Sequence, residues 1–267
     1  MTSVKGRLAG QVAVVFGAGS VGEGVGIGRA ISVKLAADGA RVFATDKDLA
    51  SAEATARLVR EEGGDCTAWQ ADVCNLASVE EAVAACEAKY GPIDIGVYNV
   101  GIQVLGTVQE LSEEAWEKTY DVNVKGAFLA VKSLLPRMAR HGRGAIVMVS
   151  SVASVLSSRT PNIAYGSSKA ALNLFARSLA VSHAKDGVRV NVVLPGLIDT
   201  PMIRAAIAST GADLAESLAA RDRRCPGGRM GSPWDIAAAV AFLASDEAQY
   251  ISGALLPVDN ALTCAMA

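Results

Sequence analysis

The chain has 267 residues, with 25 Lys and Arg against 27 Asp and Glu, which gives a formal net charge of −2. Nucleic-acid-binding proteins usually carry an excess of basic residues, and this chain has none, so we expect no nucleic-acid partner. No stretch approaches the roughly 20 apolar residues of a membrane-spanning helix, so we expect no membrane partner either.

Apolar runs of five or six residues alternate with helical patterns along the chain. The predicted strands are 12–16, 41–45, 66–72, 93–99, 145–150, 188–194 and 254–258. The first helix opens near Ile27 and should end at Gly39. Later helices are expected at about 48–62, 76–90, 112–140, 162–185 and 233–245. Ser112 is the expected cap of the 112–140 helix, and Pro136 is expected to kink it or end it early.

Strict alternation of apolar strands and helices is typical of a parallel sheet covered by helices on both faces. We therefore predict an α/β fold, a doubly wound parallel sheet of about seven strands in a single domain over residues 1–267. The segment 201–230 is less regular, with Gly, Arg and Pro clustered in RDRRCPGGRMGSP.

The glycine-rich stretch FGAGSVGEGVGIG, residues 16–28, lies between the first strand and the first helix. Glycines let the backbone approach a pyrophosphate, and a helix N-terminus offers unpaired N–H groups to it. This context favours a dinucleotide-binding turn over a loose glycine loop. The candidate contacts are Gly17, Ser20, Gly26, Ile27 and Gly28.

Asp46 ends the second strand, 18 residues after Gly28. A carboxylate there can accept hydrogen bonds from the adenosine ribose hydroxyls and would repel a 2′-phosphate, which favours NAD over NADP. Lys47 weakens this prediction slightly, because a cation tolerates a phosphate. The alternative for Asp46 is a helix cap or a solvated acid in a turn.

The cysteines are five in number and form no CxxC pair. Free thiols are typical of a reducing compartment, so we expect a cytoplasmic protein. Lys5 and Arg7 precede an apolar run that superficially resembles a signal peptide, but the run is short and ends in glycines, which favours a strand. With only two histidines, a metal site is not expected.

Four further residues follow in a fixed order. Asn123 lies in DVNVKGAF, Ser151 ends IVMVSS, and Tyr165 and Lys169 are four residues apart in AYGSSKAALNLF. With the glycine turn before them, these motifs resemble the short-chain dehydrogenase/reductase family over essentially the whole chain. The resemblance implies a Rossmann-like fold, a nicotinamide cofactor, and Asn123, Ser151, Tyr165 and Lys169 as catalytic residues.

The resemblance also implies further cofactor contacts. They are Asp72 and Val73 at the adenine ring, Asn99 and Gly101 in a partial match to N-N-A-G, Lys169 on the nicotinamide ribose, and Pro195, Ile198 and Thr200 at the carboxamide. The cofactor turn departs from the family pattern, because Phe16 replaces a threonine and five residues, 21–25, are inserted. Glu23 in this insertion should point away from the phosphates, since two anions in contact repel.

The tyrosine–lysine pair has a chemical rationale. Oxidation of a secondary alcohol requires a base, and a free tyrosine titrates at about 10, which is too high. Because Lys169 lies one helical turn from Tyr165, we predict that its charge lowers the pKa of this general acid/base. Ser151 would donate to the substrate oxygen. Asn123 would hold a water that links Lys169 to solvent, or its side chain would bend the long helix.

The predicted function is hydride transfer between NAD and a secondary alcohol or ketone, such as a sugar, polyol or cyclic metabolite. One alternative is an NADPH-dependent 3-oxoacyl-type reductase, which Asp46 disfavours. Another is a non-catalytic nucleotide-binding scaffold, which the intact catalytic set disfavours. The resemblance also implies a homo-oligomer, often a tetramer, with the helices at 112–140 and 162–185 in an interface.

The segment 201–230 is expected to form a lid over the substrate. Met202, Ile203 and Leu214 suggest apolar walls. The arginines of this segment would either meet an anionic substrate or, as is commoner, face solvent; they are Arg204, Arg221, Arg223, Arg224 and Arg229. Further candidate polar contacts are Gln103, Ser157 and Ser158.

Overall fold

The computed structural model describes residues 6–157 and 161–265. Seven strands form one sheet in the order β3-β2-β1-β4-β5-β6-β7, with every neighbouring pair parallel. The strands are β1 Val12–Phe16, β2 Arg41–Asp46, β3 Asp65–Gln70, β4 Ile95–Tyr98, β5 Gly144–Val149, β6 Val188–Pro195 and β7 Leu255–Val258. This Rossmann-like order confirms the predicted doubly wound sheet.

Helices cover both faces of the sheet. They are α1 Ile27–Ala37, α2 Leu49–Glu61, α3 Leu76–Tyr90, α4 Glu113–Tyr120, α5 Gly126–His141, α6 Ile163–His183, α7 Pro201–Ser209, α8 Leu214–Arg224 and α9 Pro233–Ala244. One apolar cluster joins α1 and α9 to the sheet through Ile31, Leu35 and Val240. The other joins α5 and α6 to the opposite face, with Leu134 and Leu172 at its centre.

The long helix predicted at 112–140 is interrupted. Ser112 caps α4 as expected, accepting the backbone N–H of Ala115 at 3.2 Å. A π-helical turn, Asp121–Lys125, then separates α4 from α5. Pro136 lies inside α5 and does not end it, so the expected early end is wrong, whereas the alternative of a kink stays a prediction. The proline costs about 3 kcal/mol, but it is exposed, and burial of the leucines and methionine of α5 outweighs this cost.

The segment 201–230, expected to be less regular than the rest, contains two helices that were not predicted, α7 and α8. Thr200 caps α7 by accepting the N–H of Ile203 at 3.3 Å, and Asp213 caps α8 by accepting the N–H of Glu216 at 2.7 Å. Neither helix buries a residue fully. The caps of both helices are visible in the sequence.

Within 6–157 and 161–265, no helix is both long enough and apolar enough to cross a membrane. The glycine-rich turn, Ser151 and Thr200 lie beyond the carboxyl ends of parallel strands, since they follow β1, β5 and β6 by one, two and five residues. In a doubly wound sheet, ligands bind outside the carboxyl ends of the strands. The fold therefore brings the candidate residues to one edge of the sheet.

Candidate active site

A cleft of about 550 Å³ opens at this edge. It collects most of the residues predicted from the sequence: Gly17, Ser20, Gly26, Ile27, Gly28, Asp46, Asn99, Gly101, Ser151, Tyr165, Lys169, Pro195, Ile198 and Thr200. Asp72, Val73 and Asn123 are the predicted residues that do not line it. Within the described part of the chain, no group of three His, Cys, Asp or Glu side chains could hold a metal ion.

At Gly28 the backbone of the glycine-rich turn packs closely against its neighbours and leaves no room for a side chain. A Cβ on Gly28 would collide with the Gly17 carbonyl oxygen and would lie 2.6 Å from Asn99 Nδ2. Asn99 in turn donates from Nδ2 to the Gly17 carbonyl at 2.8 Å. The Ser20 hydroxyl is buried and has no hydrogen-bond partner in the described residues. An unpartnered hydroxyl beside the uncapped start of α1 fits a pyrophosphate.

The inserted residues 21–25 run beside the cleft without displacing the turn. The Gly24 carbonyl accepts a hydrogen bond from Arg29 Nη1 at 2.5 Å, which ties the insertion to α1. Val21 and Gly22 line the cleft, whereas Glu23 is exposed. The insertion therefore adds to the wall of the cleft beside the turn.

Asp46, the last residue of β2, lines the cleft. Its Oδ2 accepts the Gly19 N–H at 3.0 Å and its Oδ1 accepts the Asp48 N–H at 3.1 Å. The cap of α2 is Asp48, not Asp46. Lys47 is 79% exposed and forms an ion pair with Asp72 at 3.0 Å, so its charge is directed to another carboxylate.

Ser51 is a contact that the sequence analysis missed. Its hydroxyl accepts the Ser20 N–H at 2.8 Å and donates to the Ser20 carbonyl at 3.1 Å, which fixes the glycine-rich turn against α2. Ser51 also lines the cleft together with Asp48. Its position in the first turn of α2, directly after Asp46, is a signal that could have identified it.

The predicted adenine pair has other contacts in the structure. Asp72 accepts the Cys74 N–H at 3.0 Å, and this bond, together with the Lys47 ammonium, lowers the pKa of its carboxyl group. Val73 is buried in the core. The assignment of these two residues to the adenine ring remains a prediction from the family resemblance.

Asn123 is completely buried in the π-helical turn. Its Nδ2 donates to the Ile102 carbonyl at 3.0 Å and to the Ser168 hydroxyl at 2.9 Å, and its Oδ1 accepts the Ile102 N–H at 2.8 Å. Both polar ends of the side chain are thus bound to protein groups. This geometry supports the structural role considered for Asn123, at the interruption of the long helix.

Asn123→Leu should reduce the free energy of unfolding by about 2–3 kcal/mol, because it leaves both main-chain groups of Ile102 without their partner. Urea denaturation measures this change. Gln109→Leu makes the same substitution at an exposed amide and should have an effect below about 0.5 kcal/mol. Equal stabilities for the two variants would contradict a structural role for Asn123.

Ser151, Tyr165 and Lys169 meet at the other end of the cleft. Ser151 follows β5, and its side chain hydrogen-bonds the Tyr165 hydroxyl. Lys169 Nζ lies 5.8 Å from the centroid of the Tyr165 ring. It donates a hydrogen bond to the Val149 carbonyl at 2.9 Å. The structure therefore brings the serine, the phenol and the ammonium together.

The ionisation of this pair differs from the sequence-based expectation. Burial raises the pKa of Tyr165, and its hydrogen bond with Ser151 acts in the opposite direction. Burial also lowers the pKa of Lys169 to about 8. The predicted fall in the pKa of Tyr165 is therefore not seen, because the helical spacing gives proximity but not the cost of burying a phenolate.

The lid candidates divide between the cleft and the surface. Met202, Ile203, Arg221 and Gln103 line the cleft. Leu214 and Ser157 are exposed and lie outside its lining. Ser158 lies outside the described residues. The expected apolar walls are thus supplied by the start of α7 alone.

Comparisons with known proteins agree with this geometry. The sequence profile of a family described as enoyl-(acyl carrier protein) reductase matches residues 21–263. The chain is 36% identical to oxidoreductase UcpA of Salmonella typhimurium, over 97% of this chain and 96% of that protein. It is 37% identical to cis-4-hydroxycyclohexanecarboxylate dehydrogenase of Sinomonas cyclohexanicum, over 95% of this chain and 96% of that protein.

A solved structure from Burkholderia xenovorans, assigned to the short-chain dehydrogenases/reductases, superposes with a TM-score of 0.95 at 42% identity, covering 98% of this chain and all of that one. Levodione reductase superposes with a TM-score of 0.92 at 29% identity, covering 97% of this chain and 100% of that one. Profile, relatives and structures thus agree over nearly the whole length. The chain belongs to the short-chain dehydrogenase/reductase family, whose members use a nicotinamide cofactor, and it is an oxidoreductase acting on CH–OH groups.

Proposed function

We propose that this protein transfers a hydride between NAD and a secondary alcohol or ketone carried on a ring. The observation that supports this most strongly is the meeting of Ser151, Tyr165 and Lys169 in the cleft that also holds the glycine-rich turn. Three relatives are named for ring alcohols: a 3β-hydroxysteroid, a dichlorocyclohexadienediol and a hydroxycyclohexanecarboxylate. Because these named substrates are all ring alcohols, we extend the same substrate class to this chain.

Each residue at the reaction end has a distinct role. A nicotinamide held by the glycine-rich turn and Lys169 would supply the hydride acceptor in the oxidative direction. Tyr165 removes the proton from the alcohol hydroxyl as general base, and returns it as general acid in reduction. Ser151 donates a hydrogen bond to the substrate oxygen, which fixes that oxygen beside the phenol. Lys169 supplies positive charge beside the phenol and a donor for the nicotinamide ribose.

The cleft favours NAD on electrostatic grounds. Asp46 and Asp48 are the acidic residues of its lining, and the basic ones are Lys169 and Arg221, which belong to the other end. A 2′-phosphate beside Asp46 would therefore meet like charge with no compensating cation in the described lining. The same argument disfavours the alternative of an NADPH-dependent 3-oxoacyl-type reductase.

Asp46→Ser should lower kcat/KM with NAD by about 10- to 100-fold and raise it with NADP, because it removes both a ribose acceptor and the repelling charge. Steady-state kinetics with each cofactor measure the ratio. Glu53→Ala is the matched control, since it removes an exposed acid of α2 outside the cleft and should leave the ratio unchanged. A wild-type enzyme that prefers NADP would contradict the proposal.

The direct test of the function is a screen of secondary alcohols, cyclohexanols included, with NAD, followed by the absorbance of the reduced nicotinamide. Cyclic alcohols should be oxidised with higher kcat/KM than open-chain ones of similar size. Absence of turnover of every cyclic alcohol, with retained NAD binding, would favour the scaffold alternative instead.

The remaining predictions concern the lid, assembly and location. α7 and α8, within 201–230, would form the lid. Exposed apolar side chains on α5 and α6, namely Phe128, Leu174 and Val181, support a homo-oligomer built through these helices, a tetramer by family resemblance. The five cysteines are unpaired, which favours a reducing, cytoplasmic location.

A further inference from the structure

One arginine of the 201–230 segment differs from the other four. Arg221, on α8, lines the cleft. Arg204 binds both carboxylate oxygens of Asp199, at 2.8 and 2.6 Å. The three others, Arg223, Arg224 and Arg229, are exposed and outside the cleft lining. Only Arg221 therefore brings a guanidinium to the site where the substrate would lie.

The Arg221 guanidinium has hydrogen-bond donors that are not used within the described chain. Its Nε donates to the Met230 sulfur at 3.4 Å, a weak acceptor. Its two terminal amino groups have no acceptor within 6–157 and 161–265. Asp199 is near enough to affect its pKa, but both oxygens of that carboxylate are bound by Arg204. Arg221 is thus a half-buried cation without a carboxylate partner in the described chain.

A chain of contacts connects Arg221 to the segment that precedes Thr200. Its partner Met230 precedes Gly231, which pairs with the 197–199 segment through Gly231 N–H to Leu197 at 2.9 Å and Asp199 N–H to Gly231 at 2.9 Å. This segment leads directly into Thr200, which the family resemblance assigns to the nicotinamide carboxamide. Asp46, at the adenosine end, follows a different strand, β2.

We propose that Arg221 binds a carboxylate on the substrate, so that the preferred substrates are cyclic secondary alcohols or ketones bearing a carboxylate. The inference rests on the proposed function and narrows its substrate class. Two terminal amino groups of one guanidinium match the two oxygens of a carboxylate. The other charged side chain in this part of the lining, Lys169, is also a cation, so an anion here meets no opposing acid.

The cofactor pyrophosphate is a second source of anionic oxygens. The glycine-rich turn offers the pyrophosphate other partners, namely the backbone N–H groups at the start of α1 and the unpartnered Ser20 hydroxyl. Arg221 approaches from the lid instead. A carboxylate on the substrate is therefore the ligand that lacks another partner in the cleft.

The test is a binding measurement that needs no turnover, so it is independent of the proposed reaction. The enzyme is saturated with NADH or NADPH, whichever binds more tightly, and titrated with cyclohexanecarboxylate and with cyclohexanecarboxamide, following the nicotinamide fluorescence. The carboxylate should bind the wild-type enzyme about 10- to 100-fold more tightly than the amide. Arg221→Met should abolish this difference, and Arg221→Lys should retain part of it.

Arg223→Met is the matched control, because Arg223 is exposed on the same helix and outside the cleft lining. It should leave both affinities unchanged. Retained binding of the reduced cofactor shows that the Arg221→Met protein is folded. Equal affinity for the carboxylate and the amide in the wild-type enzyme would overturn the inference. It would also be overturned if Arg221→Met lost affinity for the reduced cofactor but still preferred the carboxylate to the amide.

Discussion

Tyr165→Phe is expected to lower kcat for alcohol oxidation by about 10²- to 10⁴-fold while changing the dissociation constant of NAD by no more than a few-fold. The phenol oxygen is the group beside Ser151 that would take the substrate proton, and phenylalanine removes this oxygen alone. The ring is retained, so the packing of α6 should persist. Steady-state kinetics and cofactor titration measure the two quantities separately.

Tyr250→Phe is the matched control, because Tyr250 is fully exposed and lies outside this cleft. It makes the same chemical change and should leave both kcat and the dissociation constant of NAD as in the wild type. Wild-type turnover in Tyr165→Phe would show that another group carries the proton.

Gly28→Ala is expected to weaken NAD binding by more than about tenfold and to reduce the free energy of unfolding by about 1–3 kcal/mol. The added methyl group would collide with the Gly17 carbonyl and crowd Asn99, so the turn expected to hold the pyrophosphate must move. Cofactor titration and urea denaturation measure the two effects.

Gly63→Ala provides the comparison for this substitution. Gly63 lies just after α2 with open space around it, at φ +84°, so alanine costs about 1–2 kcal/mol of backbone strain there. The affinity of the Gly63→Ala protein for NAD should match that of the wild type. The account of the turn fails if Gly28→Ala keeps wild-type affinity for NAD.

The fold was predictable because its signals are local and repeated. Several strands are nearly continuous apolar runs, as in β1 and β5, and caps such as Ser112 and Gly39 mark helix ends. The prediction was incomplete at two places. α7 and α8 were not predicted, because glycine, arginine and proline cluster at the end of their segment. Pro136 does not end α5, because it is exposed while neighbouring leucines and a methionine of the helix are buried.

The sequence predicted which residues form the site better than it predicted their pKa values and hydrogen bonds. Motif order identified Ser151, Tyr165 and Lys169, which meet in the cleft. Spacing alone could not reveal that burial raises the pKa of Tyr165, or that Lys169 donates to a main-chain carbonyl. Sequence also could not separate Arg221 from its four neighbours, because only the position of α8 directs one of them to the cleft.

The pH dependence of oxidation follows from these ionisations. Oxidation needs the phenolate, so its rate rises as the pH passes through the pKa of Tyr165. Burial raises that pKa and moves the rise to higher pH, whereas the positive charge of oxidised nicotinamide beside the phenol should move it back.

The most direct test of the account is carbon NMR of protein labelled at the phenolic carbon of its five tyrosines, with the Tyr165 signal assigned from Tyr165→Phe. Titration with pH should give Tyr165 a pKa above its ordinary value in the free enzyme, and a lower one when NAD is saturating. A Tyr165 signal that titrates identically with and without NAD would contradict the assignment of this buried phenol as the charge-controlled base.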